Sequence, residues 1–164
     1  MTVYKVGAYV KLAKLWDRKR SSAVKLHNEY YRDKFRSDAQ MILHGVYIDI
    51  TGNKEIWRRP QMIQLLMECR SGHVNCIATQ TKAYLAANTE DLFFLLHYLF
   101  TLSQRIDIVT EDPQFNINTI ENAEFQRESP IAAASKYAKV ESSRYVGWLN
   151  AVSGAMDEME IRNG

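Results

Sequence analysis

The chain has 164 residues and a formal net charge of +2 at pH 7, from 21 Lys and Arg against 19 Asp and Glu. That length suits one domain with a sizeable core, and 46% hydrophobic against 24% charged residues excludes wholesale disorder. Near-neutral charge excludes binding of nucleic acid by bulk electrostatics, so any affinity for phosphate must come from local clustering.

Val3 to Ala13 is β-rich and predicts the first strand. It runs into a cationic stretch of Lys11, Lys14, Arg18, Lys19 and Arg20, of which Trp16 to Arg20 reads as a loop. Ser21 or Ser22 is placed to cap a helix with Val24, Leu26, Tyr30, Tyr31 and Phe35 as its apolar positions. Met41 to Ile50 predicts the second strand, broken by the turn residues Thr51-Gly52-Asn53-Lys54. Pro60 opens the next helix, with Met62, Leu65, Leu66 and Cys69 as its stripe and Gly72 as its C-cap.

Val74 to Thr79 is the third strand and 82–87 a loop. Asn88 or Thr89 then caps a helix with Glu90 and Asp91 in its first turn and Leu92, Leu95, Leu96, Leu99 and Leu102 on its buried face. Arg105 to Thr110 is the fourth strand, and 111–128 is polar and irregular. This alternation implies an α/β domain with a mostly parallel sheet of four or five strands, helices on both faces and right-handed crossovers. Ligands of such sheets gather at the carboxyl ends of the strands, which directs attention to the end of the first.

Ser129-Pro130 opens a long last helix, so residues 1–128 read as the core and 129–164 as a terminal helix of the same domain. Ile131, Ala134, Ala138, Glu141, Tyr145, Trp148, Val152, Ala155 and Met159 recur at spacings of three and four, and at ~1.5 Å per residue the helix runs roughly 45 Å. Its far end carries Tyr145, Trp148, Leu149, Val152, Met156 and Met159, expected to overhang the core and to pair with a second copy.

Other chemistries find little support. Cys69 and Cys76 read as buried thiols in a reducing compartment. The spacing Cys69-x3-His73-x2-Cys76 lacks a fourth zinc ligand, and no metal or cofactor is expected. Neither G-x-G-x-x-G nor the P-loop pattern occurs, which disfavours a nucleotide-binding enzyme. With no signal peptide and no apolar run of the ~20 residues needed to span a bilayer, the expectation is a soluble cytoplasmic protein.

Several stretches together resemble one family. Gly7 to Ala13, Val46-Tyr47-Ile48-Asp49 with Thr51-Gly52, Arg59 to Leu66 with Gly72 to Ile77, and Leu85 to Leu92 are similar, in order and spacing, to the catalytic domain of the serine recombinases, the resolvase/invertase group. The long last helix matches that family's dimer-forming helix. The resemblance covers nearly the whole chain and implies a three-layer fold, dimerisation and a role in DNA recombination on mobile elements.

It also implies losses. The family cuts DNA with a serine that attacks a phosphodiester, and that serine aligns with Ala13. The preceding arginine aligns with Lys11, which keeps charge without the planar fork. The Asp-Arg-Leu-x-Arg motif stands as Ala83-Tyr84-Leu85-Ala86-Ala87, and the closing Glu-Arg pair as Glu141-Ser142. Arg59 is the cradle residue retained.

Three functions follow as expectations. The first is a recombinase-like module without strand cleavage, dimeric or regulatory, associating with itself or with an active recombinase and contacting DNA through residues 11–20. The second is an active recombinase with Ser21 or Ser22 as displaced nucleophile; Lys11 as base or nucleophile carries little weight. The third is a protein-interaction module that does not bind DNA. No helix-turn-helix or zinc-ribbon pattern follows the long helix, so the chain is expected either to be part of a longer protein or not to read a site itself.

Overall fold

A computed structural model describes residues 2–113, 116–121 and 142–163. Four strands, β1 (Tyr4–Leu12), β2 (Met41–Ile50), β3 (Cys76–Thr79) and β4 (Asp107–Thr110), form one sheet in the order β2-β1-β3-β4, all parallel. The helices are α1 (Arg20–Phe35), α2 (Pro60–Ser71), the short α3 (Lys82–Leu85), α4 (Thr89–Thr101) and α5 (Ser142–Asn163).

The two-residue period of β1 divides the core. Ala8, Val10 and Leu12 pack with Ile48, Ile50 and, from α1, Ala23 and Tyr31. Tyr9 lies on the other face with Leu65 and Leu66 of α2, Leu95 and Leu99 of α4 and Trp148 of α5. The result is the expected three-layer α/β/α arrangement. Gly7 lets α2 come close, because a Cβ there would stand 2.5 Å from Leu65 Cδ1.

Local chemistry accounts for α2 and α4. Pro60 sits in the first turn of α2, and Met62, Ile63, Leu65, Leu66 and Cys69 are buried. The helix stops at Gly72, whose φ of 86° is left-handed, and the N–H groups of His73 and Val74 both donate to the Glu68 carbonyl. Asn88 caps α4 by accepting from the Asp91 N–H at 2.9 Å.

Several expectations are corrected. Residues 14–19 form a 3-10 helix, not a loop, and run straight into α1. That continuity puts Ser21 and Ser22 inside the first turn, where neither caps; the N-cap residue is Lys19, without a side-chain bond. On α1 only Ala23 and Tyr31 are buried, while Leu26 is 61% exposed. Residues 82–85 form a helical turn because Thr81 caps it, its side chain accepting from the Ala83 N–H. On α4 the buried face includes Phe94 and Tyr98, with Leu92 only half-buried and Leu102 beyond the helix end.

The largest correction concerns α5. Trp148, Val152 and Met156 are at most 4% exposed and belong to the main core, with Tyr145, Leu149 and Met159 packed against it. Burying the first three contributes about 2 kcal/mol each. Arg70–Glu160 at 2.6 Å and Arg144–Glu90 at 2.8 Å tie the helix rim to α2 and α4. The far end therefore does not overhang, because this surface lies on the chain's own core. The helix start expected at Ser129-Pro130 lies outside the described residues. Among those described, no helix is long and apolar enough to cross a membrane.

Candidate functional site at the carboxyl end of the sheet

The strand order places a switch point between β1 and β3, where the chain leaves toward β2 and later returns across β1. Open parallel sheets bind ligands at the carboxyl ends of strands beside such a point. Here those ends are Leu12-Ala13 and Thr79-Gln80, and α3 packs back against β1.

Asp49 is the hub. It pairs with Lys11 in the β1–β2 ladder and is 4% exposed. Its Oδ1 accepts from the Gln61 N–H at 2.9 Å, and its Oδ2 from the Met62 N–H at 2.9 Å and the Tyr9 hydroxyl at 2.8 Å. It thereby caps α2 from a neighbouring strand, its charge favoured by the helix dipole. Burial first, and then the Asp49 carboxylate, push the Tyr9 hydroxyl well above its ordinary pKa, so Tyr9 stays a neutral donor.

Arg59 lies beneath this cluster at 1% exposure. Its Nε donates to the Asn53 carbonyl at 3.3 Å and its Nη2 to Lys54 O at 2.7 Å. Its Nη1 donates to Tyr84 O at 3.0 Å and Leu85 O at 3.2 Å. The fork holds the loop after β2 and α3 together. Lys11 is half-buried beside it, and burial first, then the Arg59 charge, lower its ammonium pKa.

The sequence-predicted residues thus separate into groups. Lys11, Arg59 and the Tyr84 backbone meet at one strand end. Ala13 is exposed, two residues beyond Lys11 on the same side of the chain, and accepts from the Trp16 N–H at 2.9 Å. Ala83 and Ala87 are exposed within and just after α3, and Tyr84 is half-buried, packed against both sheet faces. Lys14, Arg18, Lys19 and Arg20 are exposed beyond the strand, Arg20 paired to Asp17 at 2.7 Å. Ser142 is the first residue of α5, and Glu141 lies outside the described residues. Tyr145, Trp148, Val152, Met156 and Met159 are remote from the strand end in role, forming the α5 seam.

The Cys69, His73, Cys76 spacing does not become a donor set. Both thiols are buried, whereas His73 is turned outward with Nδ1 2.9 Å from Glu68 Oε2.

Asp49 and Tyr9 are the functional-site residues that sequence reasoning passed over. Two signals point to them. Asp49 interrupts an apolar run, and α2 opens at Arg59-Pro60 with no residue able to cap it, so an acceptor must come from elsewhere. Glu111 is a third: its Oε1 accepts from Tyr30 at 2.6 Å and Lys34 at 2.7 Å, fixing α1 to the end of β4.

No family model matches the chain, and no curated protein matches it. Among solved structures, the fold is similar to the N-terminal catalytic domain of TP901-1 integrase. The TM-score is 0.54 at 16% sequence identity, covering 85% of this chain and 97% of that one. The likeness is one of fold.

Proposed function

We propose that this domain keeps a recombinase fold without strand cleavage, and acts as a regulatory module that engages DNA alongside an active recombinase. One observation carries the reading. At the end of β1 the exposed residue is Ala13, and the buried Arg59 fork faces backbone carbonyls. An alanine has no oxygen with which to form a phosphodiester adduct. Transition-state charge on a phosphoryl group needs cations aimed at it, and a guanidinium held by four carbonyls supplies none.

A displaced nucleophile at Ser21 or Ser22 is the second reading. It is favoured by the exposure of both hydroxyl residues and by their having no capping role.

Both are tested with the full chain and supercoiled plasmid, quenched in detergent and resolved for protein bound to DNA. No covalent adduct and no nicking are expected. A detergent-stable adduct that vanishes in Ser21→Ala or Ser22→Ala overturns the first reading and establishes the second.

A further inference from the structure

We propose that the 3-10 turn Lys14–Lys19 is a binding site for single-stranded DNA, with Trp16 stacking on an unpaired base and Lys14, Arg18 and Lys19 holding the flanking phosphates. The inference rests on the DNA engagement proposed above and names the form of DNA the turn accepts.

The turn buries none of its six side chains. Trp16 is 46% exposed and Leu15 72%, whereas Trp148 is 4% exposed. Within the fold the turn is held by its backbone, through the Trp16 N–H on the Ala13 carbonyl at 2.9 Å and by abutting α1 and β2. The indole is thus presented to solvent at the carboxyl end of the central strand.

Its surroundings specify the partner's charge. The turn's one acid, Asp17, is bound to Arg20 at 2.7 Å, and among the described residues Lys14, Arg18 and Lys19 form no ion pair. A 3-10 helix repeats every three residues, so Trp16 lies in line with Lys19 and Leu15 with Arg18. Each apolar side chain therefore has a cation on its own edge. An aromatic ring between unneutralised cations suits a polymer alternating π-faces with anions. In a duplex those π-faces are covered by neighbouring bases, so an unpaired strand is the form that fits.

The test titrates the full chain with a short oligo(dT) and with duplex of equal length, following tryptophan fluorescence and strand anisotropy at rising salt. Oligo(dT) is expected to bind tighter than duplex and to quench fluorescence. Three phosphate contacts on a single strand give a log–log salt slope of about −2. Trp16→Ala is expected to weaken oligo(dT) binding about tenfold and abolish the quench, leaving the slope. Lys14→Ala with Lys19→Ala is expected to flatten the slope and keep the quench. Circular dichroism should show every variant folded, since no buried side chain is changed.

Wild-type affinity in Trp16→Ala, a quench that survives that change, or duplex bound as tightly as single strand overturns the inference and leaves DNA engagement standing. Binding of neither form at low salt overturns both. A covalent adduct in the cleavage test overturns only the absence of chemistry.

Discussion

The Arg59 guanidinium donates to the Tyr84 carbonyl at 3.0 Å, tying the start of α2 to α3 across 25 residues of sequence. The contact joins two stretches that the family resemblance assigns to one phosphate cradle, yet it is made between a side chain and a backbone. Position and chemistry have separated: the arginine remains where the fold places it, and its donors face inward.

Arg59→Lys therefore tests structure before function. Lysine carries three donors on a point charge and cannot reach four carbonyls spread around a planar fork. Carbonyls left unpaired in a buried site cost free energy, and we expect a loss of about 3 kcal/mol in urea unfolding. Wild-type stability combined with lost DNA binding would instead return Arg59 to the phosphate.

Ala13→Ser is expected not to create cleavage. The hydroxyl would stand at the strand end, but Ala83 and Ala87 offer no cation and Lys11 offers no fork. Stability should change by less than about 0.5 kcal/mol because the position is exposed. A detergent-stable adduct formed by this variant would show that the cradle is still competent.

The parts of this design legible in sequence are those written in local periodicity. Met62, Leu65, Leu66 and Cys69 announce α2, Gly72 its end, and the pair Asn88-Thr89 the start of α4, with Asn88 the cap, because caps and stripes act within a few residues. Asp49 is not legible in that way: its partners, Gln61, Met62 and Tyr9, are brought to it by strand pairing and a crossover. The role of Arg59 escapes for the same reason, since charge in a sequence reads as surface until its carbonyl partners are known. For α5 the apolar stripe is legible but not what it packs against, because a stripe serves a neighbouring helix and a second copy equally well.

The thiols and buried tyrosines set an alkaline limit. Burial pushes the Cys76 thiol up from 9.0 to about 12, and raises Cys69, Tyr9 and Tyr31 above their ordinary values as well. Groups held neutral in the fold favour it below their unfolded values, and that stability is lost as pH rises past them, since only the unfolded chain releases its protons. The unfolding free energy from urea titrations should be nearly flat from pH 7 to 8 and fall above about pH 8.5, by roughly 3–4 kcal/mol at pH 10. A free energy unchanged at pH 10 would show that the thiols and phenols ionise equally well in the fold.

Trp148 decides what α5 is for in the free chain. It is 4% exposed, with its ring 6.2 Å from Phe94, 6.0 Å from Tyr98 and 5.9 Å from Tyr145, so the indole is seated among aromatics of the same molecule. Trp148→Ala removes that anchor and opens a cavity, an expected cost of about 3–5 kcal/mol. If the seam is intramolecular, this loss is independent of protein concentration and Tyr145→Ala and Val152→Ala weaken the fold in the same way. If the helix instead pairs with a second copy, unfolding midpoints rise with concentration and Trp148→Ala lowers the sedimenting mass. Sedimentation velocity and urea unfolding, each at two concentrations tenfold or more apart, separate the two, and the packing of Trp148, Val152 and Met156 on α2 and α4 predicts the first outcome.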